Sequence, residues 1–504
     1  MRAHPSKGAS SPGLTRPNAL SQSCYGGSVA ASPLSLPRDR IRDAVLARLT
    51  AAESNGATRV EAIQSLFPST QLDDDVLESV TAALLSGTNL ILIGPPGSGK
   101  TSLAKDVWDL YPKDAVVVAD CPVQDDPLSL VDPAYAALHP ACPACRAKHG
   151  ALSYKEVGDF DPSRVDPKKV PVKTTRLREG HGFARLQGSP EVFPDYLTGA
   201  INLAKLEEIG DPESPLVLEP GKLMQANRGV LIIDEVGKLP RGTQNVLLQA
   251  LQESIVTPSK SRETFPASFF CVATSNLDDM DSIEEPLIGR FTSVYVPFNS
   301  DHLKNRAIVE QSLRGARVPT PALLREADVL LVERWRKTSG ESPDLGEVGS
   351  NRTMIDVLRR AEAHALLRGV PLVDIVDFQR GAKEAMVGRV RGRSSEGYLE
   401  NRDAVEAFVA KQLPKALADA ALNYWCGYFV EVLKEDKSEG ERTARELKEA
   451  AKDNTKVAGL TRAKKFADYV EALEGKASED VKARRIALVL SAIETGNVFE
   501  AGKK

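Results

Sequence analysis

At 504 residues, 42% of them hydrophobic, the chain has the length for about three domains and enough apolar content to give them cores. Its 65 Lys and Arg against 69 Asp and Glu leave a formal charge of −4, which excludes bulk attraction to nucleic acid, and no apolar run approaches the ~18–20 residues of a membrane span. Six cysteines, at 24, 121, 142, 145, 271 and 426, are scattered apart from one close pair; this excludes a disulfide framework and points to a reducing, cytoplasmic setting.

Residues 1–37 are rich in Ser, Pro, Gly and Ala, carry Arg2, Lys7 and Arg16, and have no acid before Asp39. They predict a disordered tail; an organellar transit peptide or a start placed too early are the other readings of that bias. Residues 38–89 predict an N-terminal helical segment, with apolar residues three or four apart in Ile41–Leu49, Val60–Phe67 and Val76–Leu85. Short apolar runs at Ile91–Ile93, Ala115–Ala119, Gly229–Asp234, Phe269–Ser275 and Ser293–Pro297 then alternate with helical stretches. That alternation predicts a doubly wound α/β core over residues 90–298, its parallel sheet covered on both faces. Helical periodicity takes over for a lid at 299–394, clearest in Met354–Arg368 with Gly369 as its stop, and for a charged helical extension at 395–504. Lys434–Arg442 reads as a solvated linker within that extension.

The run Ile91–Ile93 feeds directly into Gly94, Pro95, Pro96, Gly97, Ser98, Gly99, Lys100, Thr101 and Ser102, a P-loop followed by an amphipathic helix. Its glycines let backbone N–H groups close around phosphate oxygens. Lys100 is placed for the β- and γ-phosphates of ATP, and the Thr101 hydroxyl for Mg²⁺. Gly229–Asp234 ends in a second carboxylate, Glu235, which is a Walker B pattern: Asp234 to hold Mg²⁺ and Glu235 to polarise the attacking water. Together the two motifs predict Mg-dependent ATP hydrolysis.

By subtraction, 134 positions separate Lys100 from Asp234, more than a minimal core needs, so an insertion is expected at about 121–222. It holds Cys121, His139, Cys142, Cys145 and His149. A Cys-x-x-Cys turn with a third thiol and two imidazoles nearby supplies candidates for a tetrahedral structural zinc; reduced thiols in a loop are the other reading. A redox pair fits less well, because no thioredoxin-like βαβ pattern surrounds it.

These motifs resemble the AAA+ superfamily, which implies an AAA+ P-loop NTPase core with a helical lid. In that family the strand Phe269–Ser275 lies between the P-loop and Walker B strands, which implies a sensor-1 role for Asn276 beside the γ-phosphate. Leu197–Leu203 and Leu218–Glu235 are similar to the ATPase subunit of magnesium chelatase, and Lys238–Glu253 to the helix after Walker B in MoxR-type ATPases. Glu285–Phe291 resembles the family's Leu-x-Asp-Arg-Phe, with Gly289 standing where the family has Asp. The resemblance implies Arg290 as an arginine finger for a neighbouring subunit's ATP, hence a ring, a hexamer in the family. Gly349–Arg352 resembles sensor 2, implying that Arg352 meets nucleotide when the lid closes.

A further resemblance is to the AAA+ portion of PrkA-type serine protein kinases, carried by Cys121–Leu128, the Cys-Pro-x-Cys at 142–145, Val172–Glu179, Gly199–Asn202 and Ala226–Gly229. Asp234-Glu235 is intact here, where those proteins tend to have degenerate acids, and no His-Arg-Asp or Asp-Phe-Gly signature occurs in the chain. The resemblances span roughly residues 70–390. They imply an ATP-driven remodelling motor of the chelatase/MoxR kind, working on a client or on a separate protein bearing a von Willebrand factor A domain. A PrkA-like regulatory protein or kinase is the rival reading, and a DNA-directed motor a third.

Overall fold

The computed structural model describes residues 36–149, 170–211, 214–258, 263–338, 348–390, 395–432 and 461–495. The predicted tail to residue 35 and the linker at 434–442 lie outside the described residues. The main sheet contains β1 (Asn89–Ile93), a two-residue edge β2 (Arg178–Glu179), β3 (Gly182–Gln187), β4 (Val230–Asp234), β5 (Phe270–Ser275) and β6 (Phe291–Tyr295). Its order is β6-β1-β5-β4-β3-β2, with every pairing parallel. The expected doubly wound sheet is therefore present, with β5 between β1 and β4.

Period-two alternation sorts the strand residues between two cores. Leu90, Leu92, Val230, Ile232 and Val272 face the N-terminal helices and the P-loop helix Lys100–Leu110. Ile91, Leu231, Ile233, Cys271 and Ala273 face the inserted segment and the helix Arg241–Glu253. The helices Pro37–Ser54, Arg59–Ser65 and Asp74–Ser86 thus share a core with the sheet. Arg40 ties them down: fully buried, its guanidinium donates to the carbonyls of Arg228, Pro112 and Asp114 (3.2, 3.1 and 2.5 Å) and lies over the Tyr111 ring. Three carbonyls and the ring face offset part of the cost of burying that charge.

One strand assignment needs correcting. Ala115–Ala119 was expected in the parallel sheet, but Asp114–Val118 pairs antiparallel with Val172–Arg176 in a separate ladder. The position beside β4 is taken by β3, which the sequence does not announce as an apolar run. In β3 only Ala184 and Leu186 enter a fully apolar face, while Arg185 and Gln187 alternate toward a cleft at the carboxyl end of the sheet. Phe183 anchors the strand by stacking on Trp108, ring centroids 4.3 Å apart.

The lid and the extension are built around one helical core. Ala322–Thr338, Asn351–Arg368 and Ile375–Val387 pack with the 38-residue helix Ser395–Val432 and with Thr461–Glu474 and Glu479–Thr495. Ser350 caps Asn351–Arg368 by accepting from Thr353 N–H, and Gly369 ends it in the left-handed conformation.

Candidate functional site

A cleft of about 440 Å³ lies where the carboxyl ends of β3, β4 and β5 meet the P-loop and the head of the helix Asn351–Arg368. It is lined by Pro96 through Ser102, Arg185, Gln187, Asp234, Glu235, Asn276 and Arg352, among others. This is where open α/β sheets place ligands, and the N-terminus of Lys100–Leu110 adds its dipole there. Gly97, at φ 78°, is pressed against the lid: a Cβ there would stand 2.8 Å from Ser350 Cβ. The P-loop and the segment Ser350–Arg352 are thus in direct contact.

The sequence-predicted residues converge. Lys100 Nζ donates to the carbonyls of Gly94 and Pro95 (2.7 and 2.8 Å) and to Asn276 Oδ1 (3.2 Å). Burial, helped by the Arg352 charge, lowers the Lys100 pKa to about 8. Thr101 Oγ1 donates to Asp234 Oδ1 at 3.0 Å, so hydroxyl and carboxylate already stand as neighbouring oxygen donors suited to a hard cation. Asn276 Nδ2 donates to Asp279 at 3.3 Å.

Glu235 sits just past β4 in the left-handed conformation at φ 56°, a backbone state that costs about 1–3 kcal/mol for a side-chain-bearing residue. Its N–H is held by Thr274 Oγ1 at 3.0 Å, and its carboxylate is met by Gln187 Nε2 at 2.8 Å and Lys238 at 2.9 Å. The turn is possible because residue 188 is glycine, since a Cβ there would stand 1.9 Å from the Glu235 carbonyl.

Two contributors escape the sequence reading. Arg185 of β3 lays its guanidinium on Asp234 Oδ2, with Nε at 3.0 Å, and Gln187 reaches Glu235 from the same strand. The signal available was a polar alternation within an otherwise apolar stretch, Gly182-Phe-Ala-Arg-Leu-Gln. Arg290 does not line the cleft; it donates to Gln252 at 2.8 Å on an exposed turn.

In the insert, Cys121, Cys142 and Cys145 do come together, but the expected histidines do not join them. Among the described residues the fourth donor is the Asp125 carboxylate, and the four ligand atoms lie within 4.8 Å of one another. His139 is instead held beside the Tyr135 ring, centroids 4.9 Å apart, by the short helix Pro133–Leu138, and His149 ends the helix Pro143–His149. Burial pushes the Asp125 carboxyl well above the carboxylate range, while hydrogen bonds from the Cys142 and Cys145 thiols lower the pKa of Cys121.

The model of the PrkA AAA domain matches residues 85–321, a little under half of the chain. A magnesium-chelatase subunit ChlI homolog of Methanocaldococcus jannaschii is 24% identical, over 64% of this chain and 83% of its own. Residues 85–321 therefore form an AAA+ domain. This domain is of the PrkA type and is related to the chelatase subunits and to Lon-like proteins. An archaeal Lon protease of Pyrococcus abyssi is 25% identical over 53% of this AAA+ chain, which spans only 26% of that protease. A structure of the complex between subunits BchI and BchD of magnesium chelatase aligns over 64% of this chain and 93% of its own, with 21% identity and a TM-score of 0.30. No described helix is long and apolar enough to cross a membrane.

Proposed function

We propose that this AAA+ chain is a Mg-dependent ATPase that works as an oligomeric ring on a partner protein. The observation that carries the reading is the convergence of Lys100, Thr101, Asp234, Glu235 and Asn276 on one cleft beneath Arg352. Backbone N–H groups of Gly97 through Lys100 cradle the phosphates, and Lys100 leaves the Gly94 and Pro95 carbonyls for the β- and γ-phosphates. Thr101 and Asp234 hold Mg²⁺, which neutralises charge on the phosphates when bound. Glu235 orients and deprotonates the attacking water, Asn276 positions it, and Arg352 joins from the lid.

Arg290, exposed and away from its own cleft, acts on the nucleotide of the next subunit; the ring is hexameric and the partner is a separate von Willebrand factor A domain protein or other client. In the insert, the thiolates take a structural zinc. The test is steady-state ATP turnover beside nucleotide binding for Glu235→Gln. Turnover is expected to fall about 100-fold or more with binding retained. Unchanged turnover would remove the assignment.

A second reading is favoured by the match to the PrkA AAA domain: a nucleotide-dependent regulatory protein or kinase. Phosphate transfer from ATP to a protein serine, surviving in Glu235→Gln, would support it against the motor.

A further inference from the structure

We infer that Cys121, Cys142, Cys145 and Asp125 form a tetrahedral Cys₃Asp zinc site, and that the ion clasps the insert to the root of the strand ending in Asp234. The inference rests on the thiolate reading above and adds the fourth donor and the mechanical role.

Geometry comes first. Zn–S bonds of about 2.3 Å at the tetrahedral angle put two sulfurs about 3.8 Å apart. Cys121 Sγ and Cys142 Sγ are 3.8 Å apart, and all four donor atoms fall within 4.8 Å of one another. Three soft sulfurs select zinc over Mg²⁺ or Ca²⁺, which take oxygen cages.

Burial supplies the second argument. Asp125 and Cys142 are 0% exposed. Asp125 Oδ2 accepts the Cys142 N–H at 2.8 Å, but Oδ1 has no hydrogen-bond partner. A fully buried carboxyl group with an idle oxygen is costly, and a cation among the thiolates relieves that cost. Backbone N–H groups already point at the donors, from Asp125 to Cys121 Sγ at 3.3 Å and from Cys145 to Cys142 Sγ at 3.4 Å. Such outer contacts hold ligands in place and stabilise thiolate charge. Loading is redox-neutral: Zn²⁺ displaces whatever protons the three thiols and the Asp125 carboxyl hold in its absence, and these pass to solvent.

The clasp follows from what flanks the donors. Asn227 Nδ2 donates to the Val123 carbonyl at 2.8 Å, and Asp126 forms a buried ion pair with Arg228. Asn227 Oδ1 also accepts the Ser268 N–H at 2.9 Å, just before β5. Asn227 and Arg228 lead directly into Gly229 and β4, whose far end carries Asp234. The ion therefore fixes the loop 121–126 against one end of the strand that serves the nucleotide cleft at the other.

The test uses full-length protein passed over a chelating resin, metal analysis, and hydrogen exchange before and after stronger chelation. About one zinc per chain is expected, lost in Cys142→Ser and kept in His139→Ala and His149→Ala. Asp125→Ala should lose about 10- to 100-fold in zinc affinity, since removing a ligand costs at least as much as removing an outer-shell partner, and Asp125→Cys should regain it. Absence of zinc, or zinc unaffected by Cys142→Ser, would overturn the thiolate reading itself. Full affinity in Asp125→Ala with loss in His149→Ala would overturn only the fourth donor. Chelating the unmutated protein should speed exchange at residues 227–231 and re-adding zinc should slow it; identical exchange in the two states would overturn the clasp. Because that arm needs no variant, it decides the mechanical claim even if Asp125→Ala fails to fold.

Discussion

The nucleotide cleft and the cysteine cluster both bear on β4, from opposite ends, and treat their carboxylates in opposite ways. In the cleft three charged groups each have a substitute from the chain: Arg185 on Asp234, the Gly94 and Pro95 carbonyls on Lys100, Gln187 and Lys238 on Glu235. In the cluster Asp125 Oδ1 has none. A site that satisfies itself can stand empty and exchange its ligand every cycle, whereas a site that leaves a buried oxygen idle requires a permanent occupant. The difference separates a turnover site from a structural one.

The largest expected effect breaks the comparison at the cluster. Removing zinc from the unmutated protein takes away the ion's bonds to three thiolates and leaves the Asp125 carboxyl with an unpaired buried oxygen, and should lower the melting temperature by roughly 10 °C. Removing Mg²⁺ and nucleotide should cost the fold less than this, because the cleft closes on its own groups. Equal losses in paired calorimetric melts would erase the distinction.

Arg185→Ala probes the substitute in the cleft. The empty protein should lose about 1–3 kcal/mol, while the form holding Mg²⁺ and a non-hydrolysed ATP analogue should be nearly unchanged, so the ligand-induced rise in melting temperature grows. A rise equal to that of the parent would show that Arg185 does not stand in for the cation.

The smallest effect is a proton. Because the Lys100 pKa is lowered to about 8 in the empty cleft, the group is largely neutral at pH 8.5, and adjoining phosphates raise it again. Nucleotide binding should therefore take up a fraction of a proton near pH 8.5 and almost none at pH 7, where both states are charged. Calorimetry in buffers of differing ionisation enthalpy reads this directly. The same shift makes the fold gain stability as pH rises from about 8 toward 10.5, where the unfolded chain still holds the proton.

How much was legible depended on how local each signal was. Gly94 through Thr101 and Asp234-Glu235 are contiguous and end apolar strands, so sequence alone placed them, while the order of β1, β5 and β4 came from the AAA+ resemblance. β3 was missed because its cleft-facing side is polar for the site's sake, which breaks the apolar run expected of a buried parallel strand. Val116–Val118 misled for the converse reason: a β-branched run fits any ladder, and nothing local assigns it to the main sheet rather than to Val172–Arg176. Asp125 was passed over in favour of His139 and His149 because imidazoles are the commoner zinc partners. Only the fold shows that Cys121 and Asp125, four residues apart, turn the same way.

The central claim is that this cleft hydrolyses ATP with help from a neighbouring subunit, and ATP turnover of a mixture tests it most directly. Lys100→Ala abolishes its own cleft but keeps its finger, and Arg290→Ala does the reverse. Each alone should be nearly inactive, and an equimolar mixture should recover about a quarter of the unmutated rate, the share of interfaces that pair an intact cleft with an intact finger. Full turnover by Lys100→Ala alone, or a mixture no more active than its components, would contradict the account.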